Sequence, residues 1–380
     1  MYLVLRLFFI SGLALPCWVQ AGNMLPSREH IDGWLQGLGS DNKFDPDKGI
    51  DWGVMPGPFY TPELGLGIGA AIVGMYRPDK QDNVSQNSTL SFSGFTSSTG
   101  AFGIGIANYS FFANDQWRFY LTGAMNNMPT YYWGTGFTAG RDDANKQEYT
   151  SQEFSAKPEL LYRIAPDIYF GVGWSFSSVN AASIQDKDNG MLAREKAGPS
   201  VLSSGASVTL TYDTRDFVPN PRSGQLANLT YTYFAPALGS DFRFESIESR
   251  YALYHALDEK NVLAWEIDGR FTQGDVPWNM LPLLGDNHRM RGYYEGRYRD
   301  RNVLSTQLEY RRKLDWRHGV VAWIGSGTMS QTINELGKSS WLPSVGVGYR
   351  FEFKPRMNVR LDFGVGKDST GFYFQVGEAF

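Results

Sequence analysis

Charged side chains recur at every second position in the C-terminal half of the chain. Glu266, Asp268 and Arg270 follow this spacing in one segment, and Glu309 and Arg311 follow it in another. Acidic and basic groups in such a pattern could act as catalytic carboxylates, or they could neutralise one another on a single face of a sheet. We expect the second arrangement, a compensated network of charges that face water or each other. Its predicted members are Glu248, Arg250, Glu266, Asp268, Arg270, Arg311, Arg360 and Asp362.

Residues that usually bind metals or act as nucleophiles are sparse. His30, His255, His288 and His318 are far apart, and Cys17 is the only cysteine. Without a paired histidine spacing or a second thiol, a structural metal site is not expected. The sequence also has no local Ser–His signature of an esterase. We therefore predict a protein that is not an enzyme and that binds no metal or cofactor.

Composition limits the classes of protein that this chain can form. It has 380 residues and contains 25 Phe, 11 Trp and 21 Tyr, too many aromatic residues for a disordered chain. The formal net charge of −4 argues against a nucleic-acid partner, which would require a basic surface. Beyond the N-terminal region, no apolar run reaches the roughly 18 residues of a membrane-spanning helix. The sequence therefore excludes a disordered chain and a helical membrane protein.

Alternation between apolar and polar residues organises most of the chain. Leu304 and Leu308 share one parity, and Gln307 and Glu309 occupy the other. A soluble sandwich would also alternate, but these segments run for about 10–15 residues and carry aromatic residues near their ends. We therefore predict an all-β fold, a transmembrane antiparallel β-barrel of about 16 strands over residues 51–380. Long loops are expected at about 127–147, 181–198 and 274–298.

The segment that precedes the predicted barrel divides into two parts. Residues 1–21 are typical of a cleaved signal peptide, and a lipoprotein site at Cys17 is disfavoured by the preceding Pro16. Residues 22–50 form a short periplasmic or lumenal segment. Apolar residues in it have the spacing of an amphipathic helix capped by Ser27, although a fortuitous pattern in a flexible leader is the alternative. These residues are Ile31, Trp34, Leu35 and Leu38.

Three motifs occur in order along the second half of the chain. They are Tyr-Asp-Thr-Arg-Asp at 212–216, Met-Arg-Gly-Tyr at 290–293 and a closing pair of amphipathic segments that ends at Phe380. In this order and with this number of strands, the chain resembles the Omp85 superfamily, in particular the bacterial surface antigen D15 barrels. The matches lie in roughly 200–380, whereas agreement before residue 200 is mainly in the rhythm of the strands.

The resemblance implies a role for the second motif, which lies in the long sixth extracellular loop. In this family the loop folds back into the lumen and its arginine pairs with inward-facing acids, so Arg291, Gly292 and Tyr293 should enter the barrel. Glu309 has inward parity on the following strand and is the expected partner of Arg291. Relatives often carry an Asp on the next strand where this chain has Gly325, so a one-sided pairing is expected. A solvated Arg291 in the loop is the alternative.

The resemblance also implies a location and the partners that belong to it. It places the barrel in the outer membrane of a Gram-negative bacterium, surrounded by outer-membrane lipid and folded with the barrel-assembly machinery. Phe380 is the expected C-terminal barrel signal on the closing strand. Glu378 falls on the lipid-facing parity near the periplasmic interface, where a charge costs little.

The implied function is assistance to the translocation or insertion of protein or lipid at the outer membrane. The short segment 22–50 leaves no room for a periplasmic POTRA domain, which members with such roles carry. A periplasmic POTRA-containing partner could supply it. The alternatives are a passive or gated diffusion pore and a surface-exposed protein whose long loops bind ligands.

Overall fold

The computed structural model describes residues 28–40, 43–61, 64–367 and 369–380. In these ranges, sixteen strands form one antiparallel sheet in which each strand is hydrogen-bonded to the next along the chain. Two further strands of two residues each make a separate ladder inside the longest loop. The predicted all-β fold and strand number are confirmed, whereas the signal peptide predicted at 1–21 lies outside the described residues.

Most strands of the large sheet exceed ten residues. They are β1 (Ile50–Thr61), β2 (Gly65–Tyr76), β3 (Ser88–Ser97), β4 (Phe102–Phe112), β5 (Trp117–Tyr132), β6 (Gln147–Ala165), β7 (Ile168–Ala182), β8 (Ser200–Asp213), β9 (Gly224–Phe234), β10 (Phe244–Ala256), β11 (Asn261–Gly274), β14 (Asn302–Lys313), β15 (His318–Ser330), β16 (Leu342–Lys354), β17 (Met357–Gly366) and β18 (Ser369–Val376). The short ladder pairs β12 (Leu283–Leu284) with β13 (Tyr298–Arg299). The α-helices are α1 (Arg28–Gly37) and α2 (Phe137–Arg141). Short 3₁₀ helices lie at Pro46–Lys48, Asp143–Asn145, Leu192–Arg194, Pro236–Leu238, Trp278–Met280 and Ile333–Lys338.

Alternating burial separates an apolar outer face from a polar inner face. In β14, Ser305, Gln307 and Glu309 are buried, whereas Leu308 and Tyr310 are exposed. Exposed apolar side chains continue around the sheet, which is typical of a surface that meets acyl chains. Two chemically different surfaces result because neighbouring residues of a strand point in opposite directions.

The junction between β1 and β18, which we call the seam, is unlike the other strand pairs. The two strands lie side by side, but no backbone ladder joins them within the described residues. On the free edge of β1, the N–H of Val54 donates to the carbonyl of Leu38 at 2.9 Å. Pro56 and Pro58 share the parity of Val54, and proline has no N–H to donate. Along this edge the N–H of Val54 is already engaged and the two prolines have none, so few donors remain for a ladder. Side chains such as the Phe374 ring pack across the seam instead.

Loop lengths depart from a simple alternation between a long-loop end and a short-turn end. Connection 77–87 is long although it lies at the end of the sheet that carries α1 and the C-terminus, and 98–101 at the other end is short. The carboxylate of Asp82 orders the long connection by accepting from the backbone N–H groups of Ser85 and Asn114, each at 2.8 Å. Burial raises the pKa of Asp82, but hydrogen bonds from the Ser85 hydroxyl and from these backbone N–H groups outweigh it and lower the pKa to about 2. The connection is therefore a folded element.

The predicted N-terminal helix corresponds to α1, which packs at the same end of the sheet. Leu35 is buried in a cluster of inward side chains from β1, β2, β16 and β17, whereas Trp34 remains 58% exposed. Asp32 lies 2.9 Å from Arg317 in the turn between β14 and β15. Because β1 and β17 lie on opposite sides of the seam, α1 bridges it. Among the helices of the described ranges, none is both long and apolar enough to cross a membrane.

Candidate functional site

The longest loop, residues 275–301, carries the Met-Arg-Gly-Tyr motif, and we call it loop six. It turns back into the interior that the sheet encloses. It leaves β11 and returns to β14, and the β12–β13 ladder joins its two arms. Residues 290–293, which we call the tip, are all buried. Gly292 has a φ of +113°, a conformation that favours glycine, and a Cβ there would lie only 2.7 Å from the backbone of Val365. The glycine of the motif therefore permits close contact between the tip and β17.

Arg291 is fully buried between two carboxylates. Its Nη2 lies 2.6 Å from Oε2 of Glu309 on β14, and its Nη1 lies 2.6 Å from Oδ2 of Asp362 on β17. The guanidinium also stacks on Trp323, 3.6 Å from the ring centroid. A buried cation loses its hydration, so it is stable only where charge-assisted hydrogen bonds of this kind replace water.

The expectation of a one-sided pairing is wrong. Arg291 contacts Glu309, the partner that the sequence indicates, and Gly325 on β15 offers no carboxylate. Asp362 supplies the second one from β17, two strands further along the sheet. The sequence indicates that Asp362 faces inward, but nothing in it specifies which inward acid meets the tip, because that depends on the curvature of the sheet.

The rest of the tip is held by hydrogen bonds to β16 and β18. The N–H of Gly292 donates to the hydroxyl of Tyr373 at 2.9 Å, and Oγ of Ser369 donates to the carbonyl of Gly292 at 2.6 Å. The hydroxyl of Tyr293 donates to the carbonyl of Pro343 at 2.6 Å. All three motif residues therefore contact the C-terminal strands.

The predicted charge network continues from the two carboxylates that hold the tip. Arg311 pairs with Glu309 at 2.7 Å. Arg350 and Arg360 pair with Asp362 at 2.6 and 2.7 Å. Arg350 is not a predicted member, although its inward parity on β16 could have indicated it.

Loop residue Arg289 joins a second group of network charges. It lies 3.0 Å from Glu266 and 3.4 Å from Asp268, both on β11. Arg250 and Arg270 pair with the same two acids at 2.6 and 3.1 Å. The sequence does not mark Arg289, because a loop has no strand parity from which to read the direction of a side chain.

Glu248 is the predicted member that the structure places apart. Its carboxylate lies 3.7 Å from Lys157 on β6, which is not a neighbour of β10 in the sheet, so the pair reaches across the interior. This half of the interior holds a cavity of about 930 Å³ lined by small and polar residues such as Ser93, Thr122 and Ser155. The interior is therefore densely filled on one side and open on the other.

The C-terminal residues leave the last strand and turn inward. β18 ends before Gly377, whose φ is +88°. Glu378, expected on the lipid-facing side, is 8% exposed and lies 2.7 Å from Arg350. Phe380, expected on the closing strand, is also buried, and its main-chain oxygen accepts from Arg311 at 2.7 Å. Both expected positions are wrong, because the turn at glycine removes the tail from the alternation of the strand.

The first motif, at 212–216, belongs to a further ionic group on the opposite wall. Asp213 lies 2.7 Å from Arg118 on β5 and 2.8 Å from Arg215. Arg118 also pairs with Asp115 at 2.8 Å. Sequence reasoning assigns this motif only to a turn, whereas the structure shows that it also ties that turn to β5.

The charged side chains of the interior are arranged as ion pairs. In the part of the chain that the structure describes, no group of three His, Cys, Asp or Glu residues could hold a metal ion. The interior acids described above are engaged by arginine and lysine side chains. Such a network can immobilise a loop and surround a wet interior with fixed charges.

A sequence comparison identifies the family. Residues 84–380, more than three quarters of the chain, match the Omp85 superfamily domain. The chain belongs to the Omp85 superfamily. Omp85 proteins are transport or insertion barrels of the bacterial outer membrane and are not enzymes, so the predicted location and the prediction of a non-enzyme are confirmed. None of the curated proteins matches this chain.

Solved structures of BamA and CdiB share the fold. A Haemophilus ducreyi BamA lacking POTRA domains 1–3 superposes with a TM-score of 0.53 at 14% identity, over 86% of this chain and 69% of that one. CdiB from Escherichia coli gives 0.56 at 10% identity, over 88% and 62%. CdiB from Acinetobacter baumannii gives 0.50 at 12% identity, over 87% and 66%. This Omp85 chain spans about two thirds of the length of these proteins, and at such identities the similarity concerns the fold alone.

Proposed function

We propose that this Omp85 barrel assists the translocation or insertion of protein or lipid at the outer membrane. The observation that carries the proposal is the anchored sixth loop, in which Arg291 is fully buried between Glu309 and Asp362. A loop that only covered the surface would not need a buried guanidinium, whose loss of hydration is costly. The anchor therefore serves to hold one defined arrangement of the lumen.

The open half of the lumen supports a route for a client. Its cavity of about 930 Å³ can hold an extended peptide segment or a lipid chain but not a folded domain. The seam supports a lateral exit, because within the described residues no ladder joins β1 to β18. Parting the wall there breaks fewer backbone hydrogen bonds than parting any laddered pair of strands.

The proposal includes a periplasmic partner that contains POTRA domains, beside the surrounding lipid and the barrel-assembly machinery. Purification of the barrel from cross-linked cells should recover such a protein. Its absence from the recovered material would remove the partner from the proposal and leave the barrel to receive its client alone.

Cells that lack the protein test the function itself. They should lose particular outer-membrane proteins or lipids, and the wild-type gene should restore them. Arg291→Ala should reach the membrane but fail to restore them, because loop six is no longer anchored. A matched control is Arg301→Ala, which removes a loop-six arginine outside the tip and should restore the envelope. An envelope unchanged by loss of the protein would contradict the proposed function.

A gated diffusion pore is the second candidate, and the same cavity favours it. A lumen that is filled on one side and open on the other would conduct small ions while loop six remains anchored. Cells that lack the protein distinguish the two candidates, because the loss of a diffusion pore should leave the protein and lipid content of the envelope unchanged.

A further inference from the structure

A second, smaller cavity lies at the end of the barrel that carries α1 and the C-terminus. It has a volume of about 230 Å³ and lies among the ends of β14–β17 and the turns at 214–223 and 257–260. Eight arginine and lysine side chains line it, but only two glutamates do. Its wall includes Val321, whose side chain faces inward, and Val320, whose side chain faces outward, so residues from both faces of the sheet border it at the rim.

The two glutamates do not neutralise this cavity. Glu378 is paired with Arg350 at 2.7 Å, and Glu352 is paired with Lys313 at 3.2 Å. Three of the remaining cations, all in the described ranges, have no carboxylate within ion-pair distance. These are Arg222, Lys260 and Arg312. Like charges gathered in one cavity repel each other, and an anion between them relieves the repulsion.

A buried guanidinium gives an independent indication of a ligand. Arg350 lines the cavity and is 4% exposed. Its Nε donates to Glu378 at 2.7 Å and its Nη1 donates to Asp362 at 2.6 Å, but its Nη2 has no hydrogen-bond partner in the described chain. The Nε of Arg356, in the same wall, is also unpartnered. Buried donors are nearly always satisfied, so the unused Nη2 of Arg350 in the wall of a cavity indicates a missing acceptor.

We propose that this cavity binds a phosphate-type oxyanion, presented by the headgroup of an anionic phospholipid or as free phosphate. Guanidinium groups suit phosphate because their planar donors match its oxygens, and phosphate offers acceptors to several cations at once. The volume holds one phosphate with part of a headgroup. Its position at the rim would let a lipid headgroup reach it from the outer face and a free anion reach it from the lumen. This site shares Arg311 and Arg350 with the charge network beside the tip of loop six, but it does not include the tip itself and does not depend on the proposed client.

The test replaces the exposed cations Lys260 and Arg312. Arg350 is left unchanged because it also pairs with Asp362 and Glu378, so its loss would disturb the structure of the barrel. The purified full chain in detergent is titrated with inorganic phosphate and followed by calorimetry. The double variant Lys260→Gln with Arg312→Gln should weaken binding at least about tenfold, since each hydrogen bond to a charged group contributes about that much. Higher ionic strength should weaken wild-type binding as well, because salt screens exposed charges.

The matched control removes two exposed lysines from the opposite end of the barrel. Lys187→Gln with Lys338→Gln makes the same change in net charge as the double variant and should leave binding unchanged. A second arm measures phospholipids retained by the protein in nanodiscs that contain phosphatidylglycerol. Retention of the lipid identifies the headgroup as the source, whereas binding of phosphate alone identifies the free anion.

Equal binding by wild type, the double variant and the control in both arms would overturn the proposal. Failure of wild type to bind phosphate or to retain the anionic lipid would overturn it as well. Neither result would affect the proposed function, which depends on loop six and the seam.

Discussion

Arg291 is the residue on which the state of the lumen most depends. Its guanidinium is fully buried, so it is stable only while ionised carboxylates remain beside it. The two carboxylates are not equivalent. Glu309 pairs with two arginines, whereas Asp362 pairs with three. Loss of Asp362 would leave more buried positive charge without a partner.

Asp362→Asn should therefore loosen loop six more than Glu309→Gln does. Removal of one partner from a buried ion pair typically costs about 3–5 kcal/mol, and we expect Glu309→Gln to lie in that range and Asp362→Asn above it. The rate of proteolysis at loop six in the detergent-solubilised barrel measures the loosening. Asp188→Asn, in an exposed loop, is the control and should change nothing. Wild-type protection in both variants would show that Arg291 does not anchor the loop.

Among the elements, α1 and the segment that follows it govern the seam. Leu38 accepts from the N–H of Val54, and the hydroxyl of Ser40 donates to the carbonyl of Val54 at 3.0 Å. From the other side of the seam, Arg317 donates to the carbonyl of Ser40 at 2.6 Å and pairs with Asp32. The segment thus occupies the edge of β1 next to the two prolines and ties it to the β14–β15 turn.

Asp32→Ala should free α1 from that turn and expose the edge of β1. The loss removes the ion pair with Arg317 and the hydrogen bond from the indole of Trp316. Hydrogen–deuterium exchange at the amide of Val54 should become faster, because its bond to Leu38 depends on the position of the segment. Glu29→Ala, on the exposed face of α1, is the matched control. If Val54 exchanges at the same rate in wild type, Asp32→Ala and Glu29→Ala, α1 does not link the two sides of the seam.

At the scale of the whole molecule, the barrel is filled unevenly. The tip of loop six, the charge network and the inward C-terminal tail occupy the side formed by β10–β18. The 930 Å³ cavity lies between that filled side, including the C-terminal tail, and the inner faces of β2–β6 and β8. Such a lumen should allow only restricted passage of ions while the loop stays anchored. The seam, where no backbone ladder joins the described residues, and the open half, which holds the cavity, are then the parts of the barrel with the fewest constraints.

Conductance in planar bilayers should reflect this uneven filling. Wild type should show small, flickering openings, and replacement of 276–298 by a short Gly-Ser linker should raise the conductance sharply by emptying the filled half. Arg291→Ala should give an intermediate increase, since it retains the loop but removes its anchor. If wild type and the loop replacement conduct alike, loop six does not restrict the lumen.

Much of the fold and part of the candidate site follow from the sequence, because strand parity is a local property. Alternation alone predicts the number of strands and the inward direction of Glu309, Asp268 and Asp362, since each residue of a strand points opposite to its neighbours. The positive φ of Gly292, by contrast, is known only from the structure, although a glycine is the residue that permits it.

Tertiary structure alone decided which of these groups meet. Asp362 reaches Arg291 because the curved sheet brings β17 beside the tip, and the distance along the chain carries no sign of that contact. Glu378 and Phe380 lie inside because the turn at Gly377 ends the alternation that would have directed them outward. Local patterns determine the face on which a side chain lies, whereas contacts between distant strands depend on how the sheet curves and where its last strand stops.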